Sequence, residues 1–220
     1  MLLKILTFFL PWNLRRRVLE RWYNYKIHPS AHIGFAWVFP KKLIMAAGAK
    51  IDHFTVAIHL DLIEMDKTAT IGRGNWITGF PTSGKSPHFQ HQNDRCAALK
   101  LGHSASITKN HHLDCTNEIS IGQFATVAGY NSQFLTHSIN VSENIQDSLP
   151  IVIGEYTFVG TNVVVLGGAV LPPRSVLGAK SLLNKKFLDE WTLYGGVPAK
   201  AVKEINRESK YFTRKSGFVY

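Results

Sequence analysis

The chain of 220 residues carries ten histidines. Histidine ordinarily ionises near neutral pH, which makes it the side chain best suited to act as a general base. Three groups stand out. His111 and His112 are adjacent and precede Asp114, which can orient an imidazole or cap a chain corner. His88 and His91 lie in the polar and aromatic stretch GFPTSGKSPHFQHQNDRCAALK, together with Phe80 and Phe89. His137 stands apart, in SQFLTHSIN. A catalytic zinc needs about three protein ligands. Cys96 and Cys115 form no CxxC pair, no histidine follows His137, and neighbouring rings on one strand point apart, so no metal is expected. The two cysteines read as reduced thiols of a cytosolic protein.

These side chains need a scaffold, and with 45% apolar residues the chain can build a core. The formal charge of +10 suggests nucleic acid until it is located. Residues 1–26 hold six basic side chains against one acidic, and residues 200–220 hold six against two. The body between them, with 13 basic and 12 acidic groups, is near neutral and lacks a basic stripe, so nucleic-acid binding is not expected. The apolar start, Met1 to Leu10, stops at Pro11, short of the roughly 20 residues that span a bilayer. No signal-peptide cleavage site follows it. Leu14, Val18, Trp22 and Tyr25 then recur at helical spacing between Arg15, Arg16, Arg17 and Arg21. Such a segment (residues 1–27) either lies on an anionic membrane surface or docks on the body.

The body has a period of six. Ile33 leads to Phe39, Met45, Ile51, Ala57 and Ile63, then after a step of eight to Ile71 and Ile77. The pattern resumes at Leu101, Ile107 and Leu113, and another step of eight gives Ile121, Val127 and Gln133. It ends with Ile153, Val159, Val165, Leu171, Leu177 and Leu183, and of all these positions only Gln133 is polar. Six fits neither a helix nor a simple half-buried strand. It fits a short strand and a tight corner, three to a coil, and predicts an all-β parallel β-helix over residues 28–186. Both interruptions, loops 79–100 and 134–152, fall on one side of the coil, where insertions of repeat proteins often bind ligand. A basic tail, residues 187–220, follows.

The segments IVIGEYTFVGTNVVVLGGAVLPPRSVLGAKSLLNK and GGVPAKAVKEI resemble the hexapeptide-repeat acyltransferases. LGHSASITKNHHLDCTNEISIG and SQFLTHSIN resemble, more narrowly, those of bacterial surface-polysaccharide biosynthesis. The resemblance implies a left-handed coil, a homotrimer and acetyl-CoA bound between subunits as acyl donor. It also implies transfer of the acetyl group to a hydroxyl of a sugar or polysaccharide acceptor. That reaction needs a base, a donor for the carbonyl oxyanion, and alignment of both substrates.

His137 matches the position of the family's base, although it follows Thr136 directly where many relatives have one or two intervening residues. His112 and Asp114 are candidate acceptor contacts, and Phe80 and Phe89 can stack on a sugar face. Thr108 stands where relatives have an acceptor-binding asparagine. For the donor, the resemblance points to Thr161 and Ala179 along the pantetheine arm, with Asn184 and Lys185 near the nucleotide and Lys200 at a phosphate. The implied location is cytoplasmic, at the inner face of the plasma membrane if the N-terminal segment binds lipid. Three other readings compete: an N-acetyltransferase of a nucleotide-linked amino sugar, a non-catalytic trimeric scaffold, and a metal-dependent hydratase like the γ-class carbonic anhydrases, which share this coil.

Overall fold

A computed structural model describes residues 2–83, 87–217 and 219. Gly84, Lys85 and Ser86 of the first long loop lie outside the described residues. Two helices, α1 (Leu2–Phe8) and α2 (Trp12–Tyr23), lead into a three-faced parallel β-helix of the left-handed hexapeptide class.

The first face stacks seven strands, from Lys26–Ile27 to Val170–Leu171, and the third stacks seven, from Trp37–Phe39 to Leu182–Leu183. The second runs from His32–Ile33 to Val176–Leu177 and is extended by Thr192–Gly195 and an antiparallel outer strand, Lys200–Glu204. Every residue of that outer strand is exposed.

Inward side chains stack in three ladders. On the first face Met45, Met65, Leu101, Ile121, Ile153 and Leu171 are in register. The second stacks Ile33, Ile51, Ile71, Ile107, Val127, Val159 and Leu177. On the third, Val38, Ala57, Ile77, Leu113, Phe134, Val165 and Leu183 align. All of these are buried. Aliphatic side chains at this spacing fill the prism because each coil places one directly above the next.

The ladders correct the sequence pattern at three positions. Gln133 is exposed and Phe134 takes its place, because the corner before it holds one extra residue. Val38 rather than Phe39 pairs with Ala57. Met65 rather than Ile63 continues the ladder, so the first step of eight runs from Ala57 to Met65. With this register both steps of eight and both long loops leave between the third face and the first, while the single extra residue before Phe134 sits between the second face and the third.

Corners between the second and third faces use Asn110, Asn131 and Asn162 at φ of 54°, 58° and 56°, left-handed values that asparagine tolerates. At Gly122 a Cβ would lie 2.6 Å from the Glu155 nitrogen of the next coil, so glycine permits that close approach.

Helix α2 closes the first coil. Leu19 is fully buried, and Arg15, also buried, donates to the carbonyls of Gly34 and Ala36 at 2.9 and 2.7 Å. The Trp12 indole donates to Ala31 O at 3.0 Å. The helix therefore docks through Arg15 and Leu19, which leaves Leu14 and Trp22 exposed.

Candidate active site

The third-face strand His112–Asp114 turns Leu113 inward and its two flanking side chains outward. One coil later Gln133–Leu135 stacks on it, and the chain then departs into a hairpin, His137–Asn140 paired with Ile145–Ser148. The departure point is fixed by Thr136, whose hydroxyl donates to Asp114 O at 2.8 Å and accepts from Asn117 N at 2.9 Å. His137 is thereby set against the Asp114 carboxylate. Its backbone N–H reaches Asp114 Oδ2 at 3.3 Å, and its ring Nδ1 hydrogen-bonds the same oxygen.

Asp114 is almost wholly buried, and its Oδ1 accepts from the Thr116 amide at 3.1 Å and hydroxyl at 2.6 Å. Burial alone would push this carboxyl up. The hydrogen bonds from His137 and Thr116, with the His137 charge, outweigh it and hold the carboxyl below its usual range. A carboxylate can only accept, so the proton of neutral His137 sits on Nδ1 and the lone pair on Nε2. This is the arrangement of an oriented general base. His137 lines a cavity of about 290 Å³ with Ser138, Leu149, Leu166, Gly167 and Asn184. At Gly167 a Cβ would lie 2.6 Å from Thr136 O, so only glycine lets the neighbouring coil approach this turn.

The first long loop walls the other side. Phe80 and Phe89 set their rings edge-on to the His137 ring, at centroid distances of 5.8 and 6.0 Å. Arg95 holds both. It donates to Phe80 O and, at 2.6 Å, to Thr116 O, while its guanidinium lies 4.6 Å from the Phe89 ring centroid. Asp61 fastens the base of the loop through Thr82, whose N–H and hydroxyl donate at 2.9 and 2.8 Å. The Gln92 carboxamide pairs with Ser148 at 2.6–3.1 Å, and His91 contacts Asp147 at 2.7 Å, so the two loops are tied together.

The remaining candidates disperse. His112 is exposed in a separate hollow beside Trp76 and Gln133, on the same outer face as Asp114 but outside the His137 cavity. Asn184 joins that cavity. Thr161 and Ala179 occupy corners between the second and third faces, where Thr161 Oγ1 accepts from Tyr130 N at 3.1 Å. Lys185 is exposed with its ammonium 5.2 Å from the Phe187 ring, and Lys200 begins the outer strand. Within one chain, then, the donor candidates fall on two different corners. Arg95, Gln92 and Thr116 also build the site, and nothing in their local sequence distinguishes them from ordinary loop residues.

His111 is structural. Its Nδ1 accepts from Ser132 N at 3.2 Å, and Nε2 meets Thr108 Oγ1 at 3.0 Å, whose own proton goes to Gly129 O at 2.7 Å. Both nitrogens are satisfied only in the neutral ring, and burial lowers its pKa to about 4. Between pH 6.5 and 4 the unfolded chain therefore binds the extra proton. Stability should be full above pH 6.5 and fall toward pH 4, by up to about 1.4 kcal/mol per unit. His111→Gln should flatten that fall in thermal melts across the window; an unchanged slope would exclude the ring as its source.

Among the described residues no cluster of three or more His, Cys, Asp or Glu side chains is arranged to hold a metal ion.

No family model matches the chain. It is 30% identical over 116 residues to the putative lipopolysaccharide biosynthesis O-acetyl transferase WbbJ of Escherichia coli K12, covering 47% of this chain and 59% of that protein. It is 34% identical over 65 residues to the galactoside O-acetyltransferase of the same strain, covering 30% of this chain and 32% of that protein. The chain thus spans less than two thirds of the length of either relative. The polysialic acid O-acetyltransferase OatWY shares its fold, with a TM-score of 0.63 at 16% identity over 82% of this chain and 84% of that one.

Proposed function

We propose that the chain is an acetyl-CoA-dependent O-acetyltransferase that acetylates a sugar hydroxyl in cell-surface polysaccharide biosynthesis. The observation that carries this reading is the buried Asp114 carboxylate holding Nδ1 of His137 at the wall of a cavity. The names of the two relatives support it.

In this reading His137 Nε2 removes the proton from the acceptor hydroxyl as that oxygen attacks the thioester carbonyl. Asp114 stabilises the imidazolium that forms, as a buried anion does best in a site from which water is excluded. As the carbon–sulfur bond breaks, the imidazolium returns its proton to the departing thiolate. The products are the acetyl ester and CoA. Phe80 and Phe89 restrict the ring of His137 and offer apolar surface for a sugar.

The candidate donor residues lie on two corners of one chain, which favours a trimer in which Thr161 and Ala179 of one copy would face Asn184 and His137 of the next, with Lys185 and Lys200 toward the nucleotide end. The test is release of CoA, followed with a thiol-reactive dye, from acetyl-CoA in the presence of saccharide acceptors. A rate independent of acceptor would reject the reading.

The N-terminal end supports a peripheral place at the cytoplasmic face of the membrane. No described helix is long and apolar enough to cross a membrane. Leu6, Phe9, Leu14, Trp22, Phe35 and Phe54 are exposed, and ring contacts link Phe8, Phe9, Phe35 and Phe54. Six cationic residues lie within residues 1–26, with Arg17 and Arg21 exposed on α2. Apolar rings framed by cations suit an anionic bilayer surface. Phe9→Ser with Phe54→Ser should weaken binding to phosphatidylglycerol-containing vesicles, read by cosedimentation, by a hundredfold or more, at about 1.5–3 kcal/mol for each ring withdrawn. Equal sedimentation would place the membrane contact elsewhere.

A further inference from the structure

A second cavity, of about 360 Å³, lies between the first loop and the hairpin, lined by Pro87, Phe89, His91, Ile139, Asn144 and Gln146 among others. Its relation to His137 follows from the register. Residues directly opposite in an antiparallel pair share a face, and so do residues two apart along a strand. His137 is opposite Ser148 and Ile139 is opposite Gln146. Ile139 and Gln146 therefore stand on the His137 face of the hairpin, about 7 Å further along it. Phe89 joins the two places, because its buried ring touches His137 and also walls the cavity.

One atom here is unexplained by the protein itself. Gln146 Oε1 is out of contact with solvent and accepts no hydrogen bond. Buried acceptors are rarely left unpaired in native structures, and one that borders a cavity is suited to pair with what enters it, water or ligand. The cavity offers an aromatic ring, aliphatic walls, two imidazoles, of which that of His91 is tied to Asp147, and two carboxamides. Apolar surface with a few fixed acceptors and donors is what a pyranose ring, with one flat apolar face and a girdle of hydroxyls, would require.

We propose that this cavity is a second acceptor subsite, which takes the sugar next to the one acetylated, the Gln146 carboxamide turning about its terminal bond so that Oε1, shielded and unpaired in the free protein, accepts from one of its hydroxyls. It rests on the acetyl-transfer reading and sharpens it: the acceptor is an oligosaccharide or polysaccharide, not a free monosaccharide. A single sugar at His137 would leave the cavity to water.

Direct binding tests this apart from catalysis. The probes are oligosaccharides released from lipopolysaccharides by mild acid and the free monosaccharides they contain, displayed on an array. The wild-type chain should retain some of the oligosaccharides about tenfold more strongly than their component sugars. Gln146→Leu should lose that preference, and Gln146→Glu, which keeps an acceptor oxygen, should largely preserve it. The melting temperature of Gln146→Leu should be unchanged or raised, because the substitution removes an unpaired buried acceptor. Equal retention of both probe classes, no retention at all, an unaffected Gln146→Leu, or a lost preference accompanied by a lowered melting temperature would each overturn the proposal. Absence of CoA release alongside a Gln146-dependent preference would defeat acetyl transfer and leave the subsite standing.

Discussion

Replacing His137 with alanine should slow acceptor-dependent CoA release by a hundredfold to ten-thousandfold, the usual contribution of a positioned acid–base group. The reason is local. His137 is the imidazole in the cavity that Asn184 also lines, and its Nδ1 is committed to Asp114. Nε2 is then its remaining basic nitrogen. The fold should be untouched, because the side chain lies at the root of a hairpin outside the stacked ladders. The discriminating result is a collapse of kcat with the melting temperature and the KM for acetyl-CoA nearly constant. A variant as fast as wild type would remove His137 as the base.

Asp114→Asn should cost about a thousandfold, through a different route. Both carboxylate oxygens are already used as acceptors: Oδ1 by the amide and hydroxyl of Thr116, Oδ2 by the amide and ring of His137. An asparagine must turn its NH₂ toward one of these pairs of donors. Facing His137, it would donate to Nδ1 and move the ring proton to Nε2, which removes the base by changing the tautomer. Facing Thr116, it would break two hydrogen bonds that fix the turn, and the neutral oxygen left at His137 would no longer stabilise the imidazolium. In either orientation kcat should fall while acetyl-CoA binding is kept, and the pH–rate profile should change shape. A fall in melting temperature that fully accounts for the lost activity would instead make Asp114 a structural corner cap.

The coil was legible in the amino-acid sequence because its rule is short-ranged. One inward aliphatic every six residues leaves a direct imprint, strongest where the chain runs uninterrupted from Ile153 to Leu183. The pattern misled where hydrophobicity alone could not decide the register. Phe39 and Ile63 are themselves buried beside Val38 and Met65, and Gln133 sits next to Phe134 at a lengthened corner. The Asp114–His137 pair was half visible: both residues stood out, but their meeting depends on which coil stacks on which. Arg95 and Gln92 could not be read at all. Their partners, Thr116 and Ser148, lie 21 and 56 positions further along the chain, and no local period links such distances. At the N-terminus the helical spacing was clear, yet the docking face is made by Arg15, whose burial depends on two carbonyls of the first coil.

A ladder of parallel strands has no intrinsic length; each finished rung is a template on which another chain could grow into a fibre. This molecule shuts both terminal rungs. At one end α2 lies over the first coil, and Arg15 occupies the carbonyls of Gly34 and Ala36. At the other, Lys200–Glu204 reverses strand direction and edges the sheet with Lys200, Lys203 and Glu204. Backward polarity and a charged border deny an incoming strand its register and its dry contact. The number of coils is thereby fixed within each polypeptide, and amyloid-like growth from either end is blocked.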